Sequence, residues 1–187
     1  MSKVDLSSVP INDLLIEINQ RDALHDYDLD GIADTDDVMS HALCVKMASE
    51  YMRKRADVVL PEFFSHNSEL PDVIAFKGSI STVIECKVSR SDFQKDKYKP
   101  FRINSAQGMG DYRYYCAPKD LIKPEELPQG WGLLEILPNN KIRKSRDCWR
   151  VLKKNLEAEH YLLYYYARRA YYAGVHKAVI DYRGFDR

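Results

Sequence analysis

Cysteine is sparse in this chain, and the four that occur, Cys44, Cys86, Cys116 and Cys148, are far apart in sequence and form no Cys-x-x-Cys pair. That spacing argues against a zinc module or a disulfide framework and makes a reducing cytoplasm the simplest compartment. Long apolar runs are missing as well. No stretch approaches membrane-spanning length, and the polar start Met1-Ser2-Lys3-Val4-Asp5 has no signal-peptide pattern, so no membrane partner is expected. The glycine pair in Gly108-Met109-Gly110 lacks the third glycine of a dinucleotide fingerprint. The strand-like run Tyr112-Arg113-Tyr114-Tyr115-Cys116 follows where a helix should begin, so it reads as a turn with close backbone approach. None of the five histidines makes a ligand pair, and His41 and His66 read as core or surface residues.

An excess charge of one sign is absent too, since 28 basic and 28 acidic residues cancel. The cancellation conceals an asymmetry. Residues 1–40 carry ten acids and two bases, leaving eighteen acids against twenty-six bases in the remainder. A nucleic-acid partner for the larger, basic part follows from that distribution. At 187 residues the chain is one domain with an appendage, long enough to bury a core.

What is present begins with Ser81-Thr82-Val83-Ile84-Glu85-Cys86-Lys87-Val88, whose β-branched residues read as a strand. Side chains two apart share a face, so Glu85 and Lys87 lie side by side while Thr82, Ile84, Cys86 and Val88 fill the other face. Asp72-Val73-Ile74-Ala75-Phe76 reads as an interior strand, with Lys77-Gly78-Ser79 as the turn between the two. A hairpin returns Asp72, thirteen residues before Glu85, towards that acid. Two half-buried carboxylates repel each other and lose solvation, which raises their proton affinity unless a cation offsets the charge. Mg²⁺ takes oxygen ligands and needs only one or two carboxylates, so Asp72, Glu85 and the Cys86 carbonyl suffice. Its bound water supplies a nucleophile, and Lys87 holds that water or stabilises the phosphate in the transition state. A buried Glu85–Lys87 pair, with Asp72 capping a turn, is the alternative.

Pro71-Asp72-Val73-Ile74-Ala75 together with Ile84-Glu85-Cys86-Lys87-Val88-Ser89 resembles the PD-(D/E)XK nuclease superfamily, and the continuation Arg90-Ser91-Asp92-Phe93-Gln94-Lys95-Asp96-Lys97 is similar to a bacterial DNA-repair subgroup. The resemblance covers residues 38–137. It implies an α/β fold with a restriction-endonuclease-like core, a central mixed sheet flanked by helices in α-β-β-β-α-β order. It also implies Asp72 and Glu85 as ligands of Mg²⁺ or Mn²⁺, Lys87 as the catalytic lysine, and DNA as the substrate, in repair, recombination or phage DNA processing. Many members add a glutamate from the first helix or strand, for which Glu50 and Glu62 are the candidates, and several place a glutamine near the position of Gln107.

The acidic front holds a second motif. Asp26-Tyr27-Asp28-Leu29-Asp30-Gly31-Ile32-Ala33-Asp34-Thr35-Asp36-Asp37 resembles an EF-hand loop, with Asp26, Asp28, Asp30, the Ile32 carbonyl, Asp34 and Asp37 as Ca²⁺ ligands and Gly31 for the sharp turn. Asp37 stands where a bidentate glutamate is usual. Helical periodicity flanks the loop, at Ile11, Leu14, Leu15 and Ile18 before it and at Val38, Ala42, Val45 and Met52 after it. A solvated acidic interhelical loop is the alternative.

Lys95, Lys97 and Arg102 beside the site, and Arg143, Lys144 and Arg146 further on, are the candidate DNA-backbone contacts. The tyrosines at 161, 164, 165, 166, 171 and 172 recur at helical intervals, and packing is expected for most of them. The organisation expected is therefore an acidic helix-loop segment (1–37), a nuclease-like core (38–140) and a basic, Tyr-rich helical extension (141–187). Three functions fit it: a metal-dependent deoxyribonuclease, a catalytically silent DNA-binding module of the same fold, and a calcium-responsive interaction protein. A homodimer would allow two cuts, and nothing in the chain requires one.

Overall fold

The computed structural model describes residues 39–64, 69–151 and 153–174, which belong to a unit beginning at Met39. The calcium-type loop of residues 26–37 and His66 lie outside the described residues. The fold is α/β, with a six-stranded mixed sheet and four helices among the described residues.

Helix α1 (His41–Arg53) starts at Ser40, whose side chain accepts the Leu43 N–H at 3.2 Å and satisfies one of the free donors of the first turn. Its apolar residues recur at helical spacing, and Cys44, Val45, Met47, Ala48 and Met52 form the buried stripe. Strands β1 (Val58–Pro61), β2 (Val73–Lys77) and β3 (Ile80–Cys86) follow as antiparallel neighbours. Gly78, in the tight β2–β3 turn, has φ +56°, a conformation glycine adopts without steric cost. Helix α2 (Arg90–Asp96) and the single turn α3 (Pro100–Ile103) then carry the chain to β4 (Tyr112–Pro118), parallel to β3. A loop leads to β5 (Gly132–Ile136), parallel to β4, and the antiparallel β6 (Ile142–Arg146) closes the sheet before α4 (Leu156–Tyr172). The strands lie in sequence order across the sheet.

The period-2 alternation divides the core in two. Val73, Ala75, Ile84, Cys86, Cys116, Leu134 and Ile136 face α1. On the other face, Leu60, Ile74, Phe76, Val83 and Met109 pack on Ala158 and Leu162 of α4, and Phe93 of α2 packs with Tyr115, Ala117, Ile122, Leu127, Trp131 and Leu133. Glu85 and Lys87 share this second face.

Two expectations are corrected here. The basic run 142–146 is a strand of the main sheet and not part of a helical extension, because Ile142 and its neighbours pair with β5. The tyrosines of α4 are mostly exposed, Tyr161, Tyr164, Tyr166, Tyr171 and Tyr172 included, because Ala158 and Leu162 supply the helix's buried contact. Cysteines distant in sequence converge: Cys44, Cys86 and Cys116 are all buried in the α1 cluster as free thiols, brought there by the pairing of Cys86 with Cys116 across β3 and β4.

Gly132 lies under Tyr114, and a Cβ there would run into the tyrosine ring and stand 2.8 Å from the Arg146 carbonyl oxygen. Gly132→Ala is expected to cost about 1–3 kcal/mol through overpacking, read as a lower urea midpoint at unchanged slope.

A polar clip fastens the start of α4 to the sheet. Buried Ser81 donates its hydroxyl to Glu159 at 2.7 Å, and Asp111 accepts the Ser81 N–H at 2.9 Å while pairing with Lys154. Burial alone would raise the Asp111 pKa, but hydrogen bonds from Lys154 and Ser81 outweigh it and hold the carboxyl at about 2. A depressed carboxylate stabilises the fold above its unfolded pKa of about 4, and that contribution disappears as pH falls towards about 2. Asp111→Asn should therefore flatten the acid limb of stability against pH across that window, measured by urea unfolding at successive pH values.

Candidate active site

The register Val73↔Ile84 places Asp72, just before β2, beside the end of β3. Its Oδ2 accepts the Cys86 N–H at 2.6 Å. Lys87 continues β3 by donating its N–H to the Cys116 carbonyl at 2.9 Å, so Glu85 and Lys87 stay on one face with Nζ and Oε2 3.6 Å apart. Asp72, Glu85 and Lys87 are thus brought together, as the two strands suggest.

Their surroundings were not legible in the motif. Arg102, on α3, lies at the centre of an ionic cluster, with Nη1 at 3.1 Å from Glu69 Oε1, Nη2 at 2.9 Å from Glu85 Oε1 and Nε at 2.7 Å from Asp96 Oδ2. Its guanidinium stacks 4.5 Å from the Trp131 ring centroid. Asp96, on α2, also accepts the Tyr115 hydroxyl at 2.6 Å and approaches Lys99 Nζ at 2.7 Å and Lys87 Nζ at 3.4 Å. Glu69 accepts the Met109 N–H at 2.5 Å and so ties the loop before β4 to the cluster.

Arg102 is therefore not an external DNA contact. Its side chain is 1% exposed, because three buried acids draw it inward. Lys95 and Lys97 are exposed. On β6, Arg143 pairs with Glu135 at 2.7 Å, Lys144 with Asp147, and Arg146 donates to the Pro124 carbonyl.

Of the additional candidates, Glu62 comes to the site. It follows β1 with φ +43°, a strained conformation for a non-glycine residue, and its N–H donates to the Asp72 carbonyl at 2.8 Å. Glu50 is exposed on α1, nine residues along from His41, which at 1.5 Å per residue is about 13 Å up the helix from the end that meets Asp72. Gln107 is exposed on a short 3₁₀ turn, where its main-chain carbonyl accepts from Asn155.

His41, read from sequence as a core or surface residue, belongs to the site's rim. It is the first residue of α1, half exposed, with Nε2 at 3.5 Å from Asp72 Oδ1 and 3.6 Å from Glu62 Oε1. Its pKa is raised, chiefly by the hydrogen bond to Asp72.

Burial pushes the Glu85 carboxyl well above the usual carboxylate range; Arg102 and Lys87 oppose that shift, while Asp72 and Asp96 add to it. For Lys87, burial lowers the pKa but the acids Glu85, Asp96, Asp72 and Asp92 together outweigh it and raise it. Burial also acts to raise Asp96, yet Arg102, Lys99 and Tyr115 hold it below the ordinary range. The contact between Arg102 Nη2 and Glu85 Oε1 is close but poorly aligned. These two atoms and Asp96 Oδ1 are buried without a hydrogen-bond partner, so the Arg102–Glu85 attraction is Coulombic.

The carboxylate oxygens of Asp72 and Glu85 are donors of the kind a hard divalent cation takes, and Asp72 is near enough to raise the Glu85 pKa, but the unsatisfied Glu85 Oε1 faces Arg102 Nη2 at 2.9 Å. Such donors are few in number. Among the described residues no three His, Cys, Asp or Glu side chains are grouped so as to hold a metal ion, so a divalent ion there would draw most of its ligands from water. Lys87, Lys99 and Arg102 already compete for the Glu85 charge at 3.6, 3.7 and 2.9 Å.

No family model matches this chain, and no curated protein matches it. Its fold is similar to the solved structure of a protein of unknown function from Silicibacter pomeroyi, with a TM-score of 0.53 at 19% identity over 79% of this chain and 99% of that one. That likeness concerns the fold, an α/β architecture. Among the described residues no helix is long and apolar enough to cross a membrane.

Proposed function

We propose that the chain is a divalent-metal-dependent nuclease hydrolysing DNA phosphodiester bonds, with a restriction-endonuclease-like core of the PD-(D/E)XK kind. The observation that carries this reading is the meeting of Asp72, Glu85 and Lys87 at the paired ends of β2 and β3. The element order α1, β1, β2, β3, α2–α3, β4 is in keeping with it. Asp72 and Glu85 would hold Mg²⁺ or Mn²⁺, which when bound supplies an activated water and neutralises phosphate charge. Asp72 is kept in place by the Cys86 N–H, and Lys87, steadied between Glu85 and Asp96, provides a fixed positive charge for the phosphate. Repair, recombination or phage DNA processing is the context this chemistry suits.

A second reading, a silent DNA-binding module of the same fold, is favoured by burial. The side chains of Glu85 and Lys87 are 2% and 5% exposed, and protein cations already surround Glu85. Incubating the protein with supercoiled, linear, branched and single-stranded DNA, with Mg²⁺, Mn²⁺ or EDTA, separates the two. Metal-dependent cutting is expected. DNA binding without cutting under any metal would leave the silent module, and neither binding nor cutting would remove both readings. The calcium-responsive reading rests on residues 26–37, and calorimetric titration with Ca²⁺ in Mg²⁺-containing buffer tests it.

A further inference from the structure

The junction between α2 and α3 carries Lys97, Tyr98 and Lys99, an aromatic residue between two cations. Lys87 and Arg102 are 5% and 1% exposed, so neither presents an outward-facing cation to a strand lying over the surface beside the site. Lys99 reaches both ways: its side chain is 42% exposed, yet Nζ lies 2.7 Å from Asp96 Oδ1 and 3.7 Å from Glu85 Oε2.

The backbone here is held. Lys99 is extended at φ −64° and ψ 139° before Pro100, the conformation a following proline enforces. The N–H groups of Tyr98 and Lys99 donate to the carbonyls of Lys95 and Asp96 at 3.2 and 3.0 Å. Tyr98 is left 73% exposed, with Lys97 Nζ 5.7 Å from its ring centroid, and Lys95 is exposed nearby. The base faces of a duplex are stacked on one another, so a protruding ring at this position suits a base that has lost its partner.

We propose that Lys97-Tyr98-Lys99 receives an unpaired nucleotide of single-stranded or splayed DNA, the base stacked on Tyr98 and the adjoining phosphate at Lys99. This rests on the nuclease reading of the same site and adds its substrate class. The charge of the ledge is complementary to the strand, and Lys99 couples the bound phosphate to the acids of the site.

The test is fluorescence anisotropy of the full chain in EDTA with a labelled single-stranded oligonucleotide and with the matching duplex, followed by cleavage of both in Mn²⁺. Single strands are expected to bind about tenfold tighter than duplex, in line with the stacking of one base. Tyr98→Ala should remove that preference and leave duplex affinity unchanged, while Tyr98→Phe should keep it. Lys99→Gln should weaken single-strand binding and lower the slope of log K against log salt by about 0.7, the loss of one phosphate contact. Equal affinity of the wild type for both DNAs, or an equal loss of both in Tyr98→Ala, overturns the proposal. Tyr98-dependent single-strand binding in a wild type that cuts neither DNA would keep the ledge and sink the nuclease reading. Cutting that is indifferent to Tyr98 does the reverse.

Discussion

Arg102→Met is expected to destabilise the fold by about 3–5 kcal/mol, the scale of removing one partner from a buried ion pair. The reason is local. One guanidinium faces Glu69, Glu85 and Asp96, all buried, and methionine fills part of its volume without offsetting any of their charge. Coulomb repulsion and lost solvation would then force protonation of the acids or admission of water. Arg102→Lys should recover little, because an ammonium cannot present three separated donors in a plane or stack on Trp131 in the same way. Urea unfolding measures the loss. Adding Glu85→Gln to Arg102→Met should return part of it, since the neutral amide relieves one stranded charge, and the double-mutant cycle isolates that coupling. An Arg102→Met protein as stable as the wild type would mean that the cluster is not the electrostatic unit its distances describe.

The second large effect concerns chemistry. Asp72→Asn and Glu85→Gln should each lower metal-dependent DNA cleavage by about 10³-fold, the scale of lost electrostatic stabilisation at a reacting centre. Both substitutions preserve shape. The amide that replaces the Asp72 carboxylate keeps an oxygen for the Cys86 N–H, and a neutral amide in place of Glu85 suits a pocket that already resists ionisation. Circular dichroism and urea midpoints close to the wild type would assign the loss to the site and not to folding. Full cleavage by either variant would exclude that carboxylate from the chemistry.

The β2–β3 pair was readable because its signals are local. A β-branched run, a glycine turn and period-2 alternation placed Glu85 and Lys87 on one face and returned Asp72 towards them, and the structure has the turn at Gly78 and the register Val73↔Ile84. The strand β6 was not readable, because a charged run such as Ile142-Arg143-Lys144-Ser145-Arg146 declares itself a strand only when an edge accepts it. Arg102 misled for a similar reason. In a lysine-rich stretch an arginine reads as a surface cation, and nothing nearby in the chain announces that Glu69 and Glu85 face it from across the fold. His41 became part of the site only because the start of α1 meets the start of β2.

Chain order alone thus set the hairpin, the shared face of Glu85 and Lys87, and the basic character of the segment after them, since each depends on backbone periodicity and neighbours a few residues away. Tertiary packing decided which charges neutralise which, that Arg102 turns inward while Lys99 and Tyr98 reach solvent, and that three distant cysteines share one cluster. Burial is a property of the whole fold, and the energy of a charge depends far more on how much water and which counter-ions surround it than on its sequence neighbours.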